Sequence, residues 1–181
     1  MKFDEAKILE AIGNGDESAF RILFDEFYDD LCNYLKYFIR DFDAIEDLVQ
    51  EVFVNFWRHR SDLPEIRSLK GYLYSSVKNK LLDYRKHLSV RIKAAERIGG
   101  LFSDINSGRA GNYEETELQE FLDNAIGKLP FRRREVFILV KINGMSYREA
   151  ADTMNISVKT VERQLSIATK TLRDILTPFM K

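Results

Sequence analysis

Four side chains that could bind a cation or transfer a proton lie close together in the first third of the chain: Glu46, Asp47, Gln50 and Glu51. On a helix, carboxylates at this spacing could hold a metal ion or act as an acid–base pair. No histidine lies three or four residues from these carboxylates, and His59 and His87 are the only histidines in the chain. We interpret the cluster as a solvated acidic face or as a face that binds a basic partner. The sequence therefore predicts no catalytic residue, no metal site and no cofactor.

The single cysteine and the first residues of the chain indicate its compartment. One cysteine, Cys32, excludes an intramolecular disulfide and a cysteine-rich zinc site, and its apolar neighbours predict a small buried side chain. No stretch approaches the roughly 20 apolar residues that a membrane-spanning helix needs. The first ten residues, MKFDEAKILE, are too charged for a signal peptide. We therefore expect a cytoplasmic protein without direct membrane insertion.

The net charge of −1 is divided into four blocks of alternating sign. Residues 1–62 carry 7 basic and 15 acidic groups, and residues 94–127 carry 2 and 7. By contrast, residues 63–93 carry 8 basic and 2 acidic groups, and residues 128–181 carry 11 and 5. Basic blocks suit phosphates and acidic blocks suit basic partners. The near-zero total charge therefore does not exclude a nucleic-acid-binding protein.

Apolar residues recur every three or four positions along nearly the whole chain, which is helical rather than strand spacing. The pattern predicts helices at about residues 4–12, 16–38, 43–57, 69–93 and 131–142. Asp16 is predicted to cap the second helix, and Asp43 with Glu46 to form a capping box on the third. Residues 99–112 contain four glycines and predict a flexible linker. We therefore predict an all-α chain with two small helical domains, residues 1–93 and 113–181, joined by a linker at residues 94–112.

Residues 146–176 have the pattern of a helix-turn-helix motif. Ser146 and Glu149 form a capping box at the start of a short helix, and two small residues, Ala150 and Ala151, allow a crossing helix to approach closely. Asn155 falls at the turn, where a residue that tolerates the left-handed conformation is needed. Ser157 then caps a longer second helix.

The second helix of this motif has an apolar stripe and, opposite to it, a basic face. The stripe residues are spaced 4, 3, 4 and 3 apart: Val161, Leu165, Ala168, Leu172 and Ile175. The opposite face carries Lys159, Arg163, Ser166 and Lys170. Such a helix fits the major groove of DNA, where Arg163 could pair with guanine, Gln164 with adenine, and the two lysines with phosphates. The alternative is a solvated amphipathic helix whose basic face binds nothing.

The helix predicted at residues 69–93 has the same two-sided pattern. Its apolar stripe is Leu73, Val77, Leu81, Tyr84 and Leu88, and its polar side carries Ser75, Lys78, Asn79 and Lys86, with Arg85 at the edge. Tyr72 and Tyr74 lie beside this basic side, and basic groups mixed with aromatic rings suit single-stranded nucleic acid. The alternative is that the tyrosines pack in the core.

Taken together, four motifs resemble the extracytoplasmic-function group of RNA polymerase sigma factors, which have two domains. They are DAIEDLVQEVFVNFW at residues 43–57, LKGYLYSSVKNKLLDYRKH at 69–87, LPFRRREVFILV at 129–140, and the helix-turn-helix. The resemblance covers roughly residues 5–176 in order and spacing. The segment VKTVERQL is similar to branches of the group that are abundant in Bacteroidota.

The resemblance implies a promoter-specificity subunit and assigns roles to particular residues. Binding to core RNA polymerase, through the clamp helices of its β′ subunit, is implied for Asp47, Leu48, Gln50, Glu51, Val52 and Phe53. Recognition and opening of the −10 element are implied for the loop at residues 58–68 and for Lys78, Asn79, Arg85 and Lys86. Recognition of the −35 element is implied for Ser157, Lys159, Thr160, Arg163, Gln164 and Lys170.

The resemblance also implies partners. The chain would bind promoter DNA in double- and single-stranded form, and an anti-sigma factor or another regulator would control it. The linker would lie in the nucleic-acid channels of the polymerase. The sequence departs from the usual pattern at four positions: Tyr72 where tryptophan is common, Ala150 where isoleucine is usual, Asn155 where glycine is common, and Glu162, an acid close to the basic face.

Three other functions are weighed against a sigma factor. A stand-alone helix-turn-helix regulator would bind its operator as a dimer without polymerase. An adaptor would dock to polymerase without using Lys159 and Arg163. An enzyme would need a nucleophile, a base and an orienting group, and no motif in the chain assembles them.

Overall fold

We describe a computed structural model of the chain for residues 4–61, 66, 68–97 and 117–177, with side chains omitted at residues 94–97 and 117–120. The helices are α1 (Glu5–Gly13), α2 (Glu17–Lys36), α3 (Phe42–Arg58), α4 (Leu69–Arg97), α5 (Glu117–Gly127), α6 (Phe131–Phe137), a π-helical segment (Ile138–Ile142), α7 (Tyr147–Met154) and α8 (Val158–Leu176). No β-strand occurs in these ranges. The predicted all-α class is confirmed.

The chain divides into two compact units, Met1–Ala110 and Gly111–Lys181. This confirms the prediction of two helical domains. Residues 98–116, which include most of the predicted linker, lie outside the described residues. The domain limits at residues 93 and 113 therefore stay predictions.

In the first unit, α2 packs against α1, α3 and α4, and α3 packs against α4. Each helix contributes an apolar stripe to the core, including Leu23 and Leu35 of α2, Val49 of α3, and Leu73 and Val77 of α4, all of them fully buried. Burying a side chain of this size stabilises the fold by about 1.5–3 kcal/mol. The polar side of each helix is left at the surface as a result.

The two tyrosines near the start of α4 have different environments. Tyr74 is 0 % exposed, and its ring meets that of Tyr34 edge-on at a centroid distance of 5.4 Å. Tyr72 is half-buried against Phe56, with ring centroids 5.8 Å apart. The core alternative is therefore confirmed for Tyr74, because α2 covers its side of α4.

Two helix ends in the first unit differ by two or more residues from the predicted ones, and one predicted cap differs. Asp43 was predicted to cap α3, and this is wrong: Asp41 is the cap, and its Oδ1 accepts the Ala44 N–H at 3.3 Å. Asp43 lies in the first turn instead, where its negative charge interacts favourably with the positive end of the helix dipole.

Helix α2 ends at Lys36 rather than residue 38, because the Phe38 and Ile39 amides both donate to the Leu35 carbonyl and tighten the chain. Helix α4 continues to Arg97 rather than ending near residue 93.

In the second unit, α8 packs against α5, α6 and α7. The helix predicted at residues 131–142 occurs as α6 followed by the π-helical segment. A π-helical turn holds more residues than an α-helical turn, and here two consecutive residues, Ile138 and Leu139, are both fully buried. The apolar run in the sequence does not distinguish the two kinds of turn.

The helix-turn-helix has the predicted geometry. The Ser146 hydroxyl accepts the Glu149 N–H at 3.2 Å, and the Glu149 carboxylate accepts the Ser146 N–H at 2.8 Å. Ala150 and Ala151 are buried. Asn155 ends α7 in the left-handed conformation, with φ 53° and ψ 51°, and the Ser157 hydroxyl caps α8 by accepting the Thr160 N–H at 3.1 Å.

Across the part of the chain that the structure describes, no helix combines the length and the apolar character needed to cross a membrane.

The backbone at Asn155 gives a test of the turn. We expect Asn155→Ala to lower the free energy of unfolding by about 1 kcal/mol, because alanine lacks asparagine's tolerance of a positive φ, whereas Asn155→Gly should maintain or raise it. Hydrogen exchange of the α7 and α8 amides in the full chain measures the change. Asn33→Ala, at an exposed position within α2, is the matched control. Equal protection in the alanine and glycine variants would contradict the expectation.

Candidate nucleic-acid interface

The acidic residues of α3 lie on the surface of the first unit. Asp47, Gln50 and Glu51 are exposed and Leu48 is half-buried. The other two residues of the predicted polymerase-binding set have a different location, since Val52 is 3 % and Phe53 is 2 % exposed. The structure therefore brings four of the six residues to one accessible face and places Val52 and Phe53 in the core beneath it.

Phe53 packs against a row of aromatic rings on α2. Its ring centroid lies 4.8 Å from that of Phe24, 6.2 Å from that of Phe20 and 6.5 Å from that of Tyr28. Such pairs add about 0.5–1.5 kcal/mol each beyond the apolar area that they bury. Phe53 therefore fixes α3 against α2, and with it the orientation of the acidic face.

Tyr28 also contacts the acidic face directly. Burial raises the pKa of the Tyr28 phenol, and the nearby Gln50 side chain acts on that pKa in the opposite direction. Tyr28 of α2 therefore lies beside Gln50 of α3. Sequence reasoning did not include Tyr28 in the site, although it lies four residues after Phe24 on the same side of α2.

An ion pair connects the acidic face to α4. The Lys80 ammonium lies 2.6 Å from Oε2 of Glu51, and both side chains are partly open to solvent. Exposed pairs of this kind contribute only about 0–1 kcal/mol, so the pair orients the Glu51 carboxylate more than it stabilises the fold. Lys80 was missed at the sequence level because it lies at the edge of the apolar stripe of α4, apart from the other basic residues.

The basic residues of α4 lie along one stretch of the helix. Asn79, Arg85 and Lys86 are exposed and Lys78 is half-buried. Residues 78 and 86 are eight positions apart, which corresponds to about 12 Å along the helix axis.

Of the loop at residues 58–68, residues 62–65 and 67 lie outside the described residues. At its start, the Arg60 guanidinium lies 4.3 Å from the centre of the Trp57 ring and donates to the Trp57 carbonyl at 2.9 Å.

On α8 the predicted separation of two faces is present. Val161, Leu165, Ala168 and Leu172 are buried, and Ile175 is half-buried. The −35 candidates are at the surface: Ser157, Lys159, Arg163 and Lys170 are exposed, and Thr160 and Gln164 are half-buried. The Ser157 and Thr160 hydroxyls lie 2.8 Å apart. All six candidates are thus on α8 or its cap, outside the apolar stripe.

The two helices of the motif differ in charge at their N-termini. The Glu149 carboxylate lies against the first turn of α7 and offsets the positive end of that helix. The first turn of α8 contains no acidic residue and includes Lys159. Glu162 comes one residue later than this turn and is exposed. The N-terminus of α8 is therefore the more favourable of the two for a phosphate or an electronegative base edge.

Two observations concern side chains of the described residues that could bind a metal ion or act as a nucleophile. No group of three or more histidine, cysteine, aspartate or glutamate side chains in those ranges could hold a metal ion. Burial raises the pKa of the Cys32 thiol to about 11, so the thiol is neutral near pH 7 and a poor nucleophile. The prediction that Cys32 is a buried side chain is confirmed.

A helix-turn-helix whose second helix exposes basic residues is typical of DNA-binding transcription proteins, and the exposed acidic face of the other unit is the kind of surface that suits a basic partner. Comparison with family models gives a match to "Sigma-70 region 2" at residues 23–90 and to "Sigma-70, region 4" at residues 120–172. The chain is 31 % identical to the RNA polymerase sigma factor CnrH of Cupriavidus metallidurans over 141 residues, 73 % of each chain. It is 28 % identical to the ECF RNA polymerase sigma factor SigM of Bacillus subtilis over 136 residues, 75 % of this chain and 81 % of SigM.

Solved structures agree with these matches. The structure of CnrH in complex with the cytosolic domain of CnrY superposes with a TM-score of 0.69 at 26 % identity and covers 94 % of this chain and 96 % of CnrH. The sigma factor RpoE of Bartonella quintana, in complex with the anti-sigma factor NepR, shares the fold with a TM-score of 0.68 at 23 % identity, over 87 % of this chain and 96 % of RpoE. The chain belongs to the extracytoplasmic-function group of the sigma-70 family. It is an alternative sigma factor, a protein that directs core RNA polymerase to promoters and supports transcription initiation.

Proposed function

We propose that the exposed face of α3 binds core RNA polymerase, that the basic side of α4 binds the −10 element, and that α8 recognises the −35 element. One observation supports this division most directly. Helix α8 buries Val161 and Leu165 and exposes Lys159, Arg163 and Lys170, so its accessible side carries the groups that suit DNA and its apolar side is used by the fold.

The acidic face of α3 is a suitable docking surface for a basic partner. Asp47 and Glu51 provide exposed carboxylates, Leu48 adds apolar contact area, and Gln50 adds an exposed amide. The clamp helices of the β′ subunit are the partner that the family relationship supports. Val52 and Phe53 act from below the surface, by fixing α3 against its neighbours rather than by contacting polymerase.

The basic side of α4 is suited to the −10 element. Lys78, Arg85 and Lys86 can neutralise phosphates along a strand, and Asn79 can hydrogen-bond a base edge. The half-buried ring of Tyr72 lies on the same helix and offers part of its surface for stacking on an unpaired base. Stacking on an unpaired base is possible only in the opened strand, so this contact would stabilise the melted promoter relative to the duplex.

Helix α8 is suited to the major groove at the −35 element. Arg163 can form two hydrogen bonds with guanine and Gln164 two with adenine, whereas Lys159 and Lys170 suit phosphates. The capped N-terminus with Ser157 and Thr160 approaches the base edges first.

A protein regulator and a cytoplasmic location complete the proposal. Two structural relatives are described in complexes, CnrH with the cytosolic domain of CnrY and RpoE with the anti-sigma factor NepR. We extend this to an anti-sigma factor or equivalent regulator for the present chain, which would act by covering the surfaces that polymerase and DNA need. The chain would have no catalytic activity of its own and would act where the chromosome and core polymerase are.

A direct experiment tests the whole proposal against a stand-alone regulator. We expect purified core polymerase with this protein to transcribe from a discrete set of sites on genomic DNA of the source organism, and the protein alone to bind those sites weakly. Mapping of the RNA 5′ ends identifies the promoters, and a gel shift without polymerase measures the protein alone. Tight binding by the protein alone, with no promoter-directed RNA, would establish the regulator instead.

Charge neutralisation on α3 tests polymerase docking. We expect Asp47→Asn and Glu51→Gln each to weaken binding to core polymerase by about fivefold, because each removes a carboxylate from an interface with a basic partner. Asp30→Asn, an exposed acid on α2 of the same unit, should change the affinity by less than about twofold. The affinities are measured with labelled protein at fixed ionic strength. An equal loss in all three variants would mean that net charge, not this face, drives binding.

Two variants of α8 separate base recognition from phosphate binding and also test the adaptor alternative. We expect Arg163→Ala to reduce discrimination at one base pair of the −35 element by about 1–3 kcal/mol. Lys170→Ala should weaken binding to all promoters evenly and reduce the slope of log affinity against log salt concentration by about one. Initiation rates on −35 variants of a mapped promoter, at several salt concentrations, measure both effects. Lys128→Ala, at an exposed site ahead of α6, is the control. An adaptor predicts full activity when Lys159 and Arg163 are replaced together.

A further inference from the structure

The first helical residue of α8 is an exposed valine. Val158 directly follows the Ser157 cap and is 40 % exposed, whereas Val161, one turn later, is 0 % exposed. Across α8, all of whose residues are described, Val158 is the only large apolar side chain that is exposed. Val158 lies three residues before Val161 and seven before Leu165, so it extends the apolar stripe to the N-terminus of α8, where its side chain is exposed.

Val158 lies between two residues proposed to bind DNA. Ser157 and Lys159, its neighbours in the chain, are both exposed, and Glu162, one turn later on the same side of the helix, is exposed as well. In a helix-turn-helix, residues at the N-terminus of the second helix are those that reach base edges. An apolar side chain at this point can contact an apolar group on the DNA.

The major groove contains one such group. Thymine carries a C5-methyl there, and the other exposed edges are hydrogen-bond donors and acceptors. Valine is also suited to this contact, because its branched side chain keeps one strongly preferred rotamer in a helix and loses little freedom on binding.

We propose that Val158 contacts the methyl group of a thymine in the −35 element and thereby selects thymine at one position. This inference rests on the proposed role of α8 and adds a specificity-determining residue to it. The contact discriminates through a methyl group, so it differs in kind from the hydrogen bonds of Arg163 and Gln164.

Replacement of thymidine by deoxyuridine tests the contact, because it removes the methyl group and leaves base pairing unchanged. Two duplex libraries, randomised across the −35 element of a promoter mapped as above, are prepared with thymidine or with deoxyuridine. Each library is selected with core polymerase and either the wild-type protein, Val158→Ala or Val158→Ile. Val90→Ala is the matched control, since Val90 is a valine 59 % exposed on α4.

With wild-type protein we expect enrichment of thymine at one position, and a loss of about three- to fivefold in that enrichment in the deoxyuridine library, the effect of one buried methyl group. Val158→Ala should show the same weak enrichment in both libraries. Val158→Ile and Val90→Ala should keep the difference between the libraries.

Each other outcome is decisive. A methyl-dependent preference that persists in Val158→Ala, or the absence of any methyl-dependent preference in the wild type, would overturn the contact while leaving the role of α8 in place. Failure of the wild-type protein to enrich any base at the −35 element would overturn the role of α8, and the contact with it. Far-UV circular dichroism of each variant verifies that the helices are intact.

Discussion

The packing of α2 against α3 around Phe53 is the interaction on which the first unit depends. The ring of Phe53 contacts three aromatic rings of α2 and is almost completely buried. Because a helix is rigid, fixing one side of α3 also fixes the direction in which the opposite side presents Asp47 and Glu51. In the proposed docking role, the buried residues of α3 would therefore act by position and its accessible residues by contact.

In the second unit, too, buried residues position a helix and exposed residues lie on the opposite side of that helix. The stripe of Val161, Leu165 and Ala168 holds α8 against the helices beneath it, and the left-handed Asn155 sets the angle at which the chain enters α8. Lys159 and Arg163 are then carried on the side away from the core. In both units, the polar groups of interest are exposed because the apolar groups of the same helix are buried.

Most of the fold was predictable because helical spacing of apolar residues, caps and glycines are local signals. Asp16, Ser146, Ser157 and Asn155 act as the sequence indicated. The differences arise where neighbouring helices decide. Asp41 and Asp43 are both acceptable caps locally, and Tyr74 is covered only because α2 crosses it. In the same way, the sequence placed Phe53 on the right helix but did not indicate that its ring faces α2, and the Glu51–Lys80 pair joins residues 29 positions apart.

The contact between the Ser157 and Thr160 hydroxyls limits what these two residues can offer to DNA. Two hydroxyl groups possess two hydrogens, and the 2.8 Å contact places one of them between the two oxygens, whichever residue donates it. The Ser157 oxygen is also engaged as the acceptor of the Thr160 N–H. At most one hydroxyl hydrogen is left over for an outside acceptor, so the pair counts as one donor rather than two. In the proposed role of α8, a promoter would therefore meet Ser157 and Thr160 as a single coupled group, and a substitution at either position would alter what the other presents.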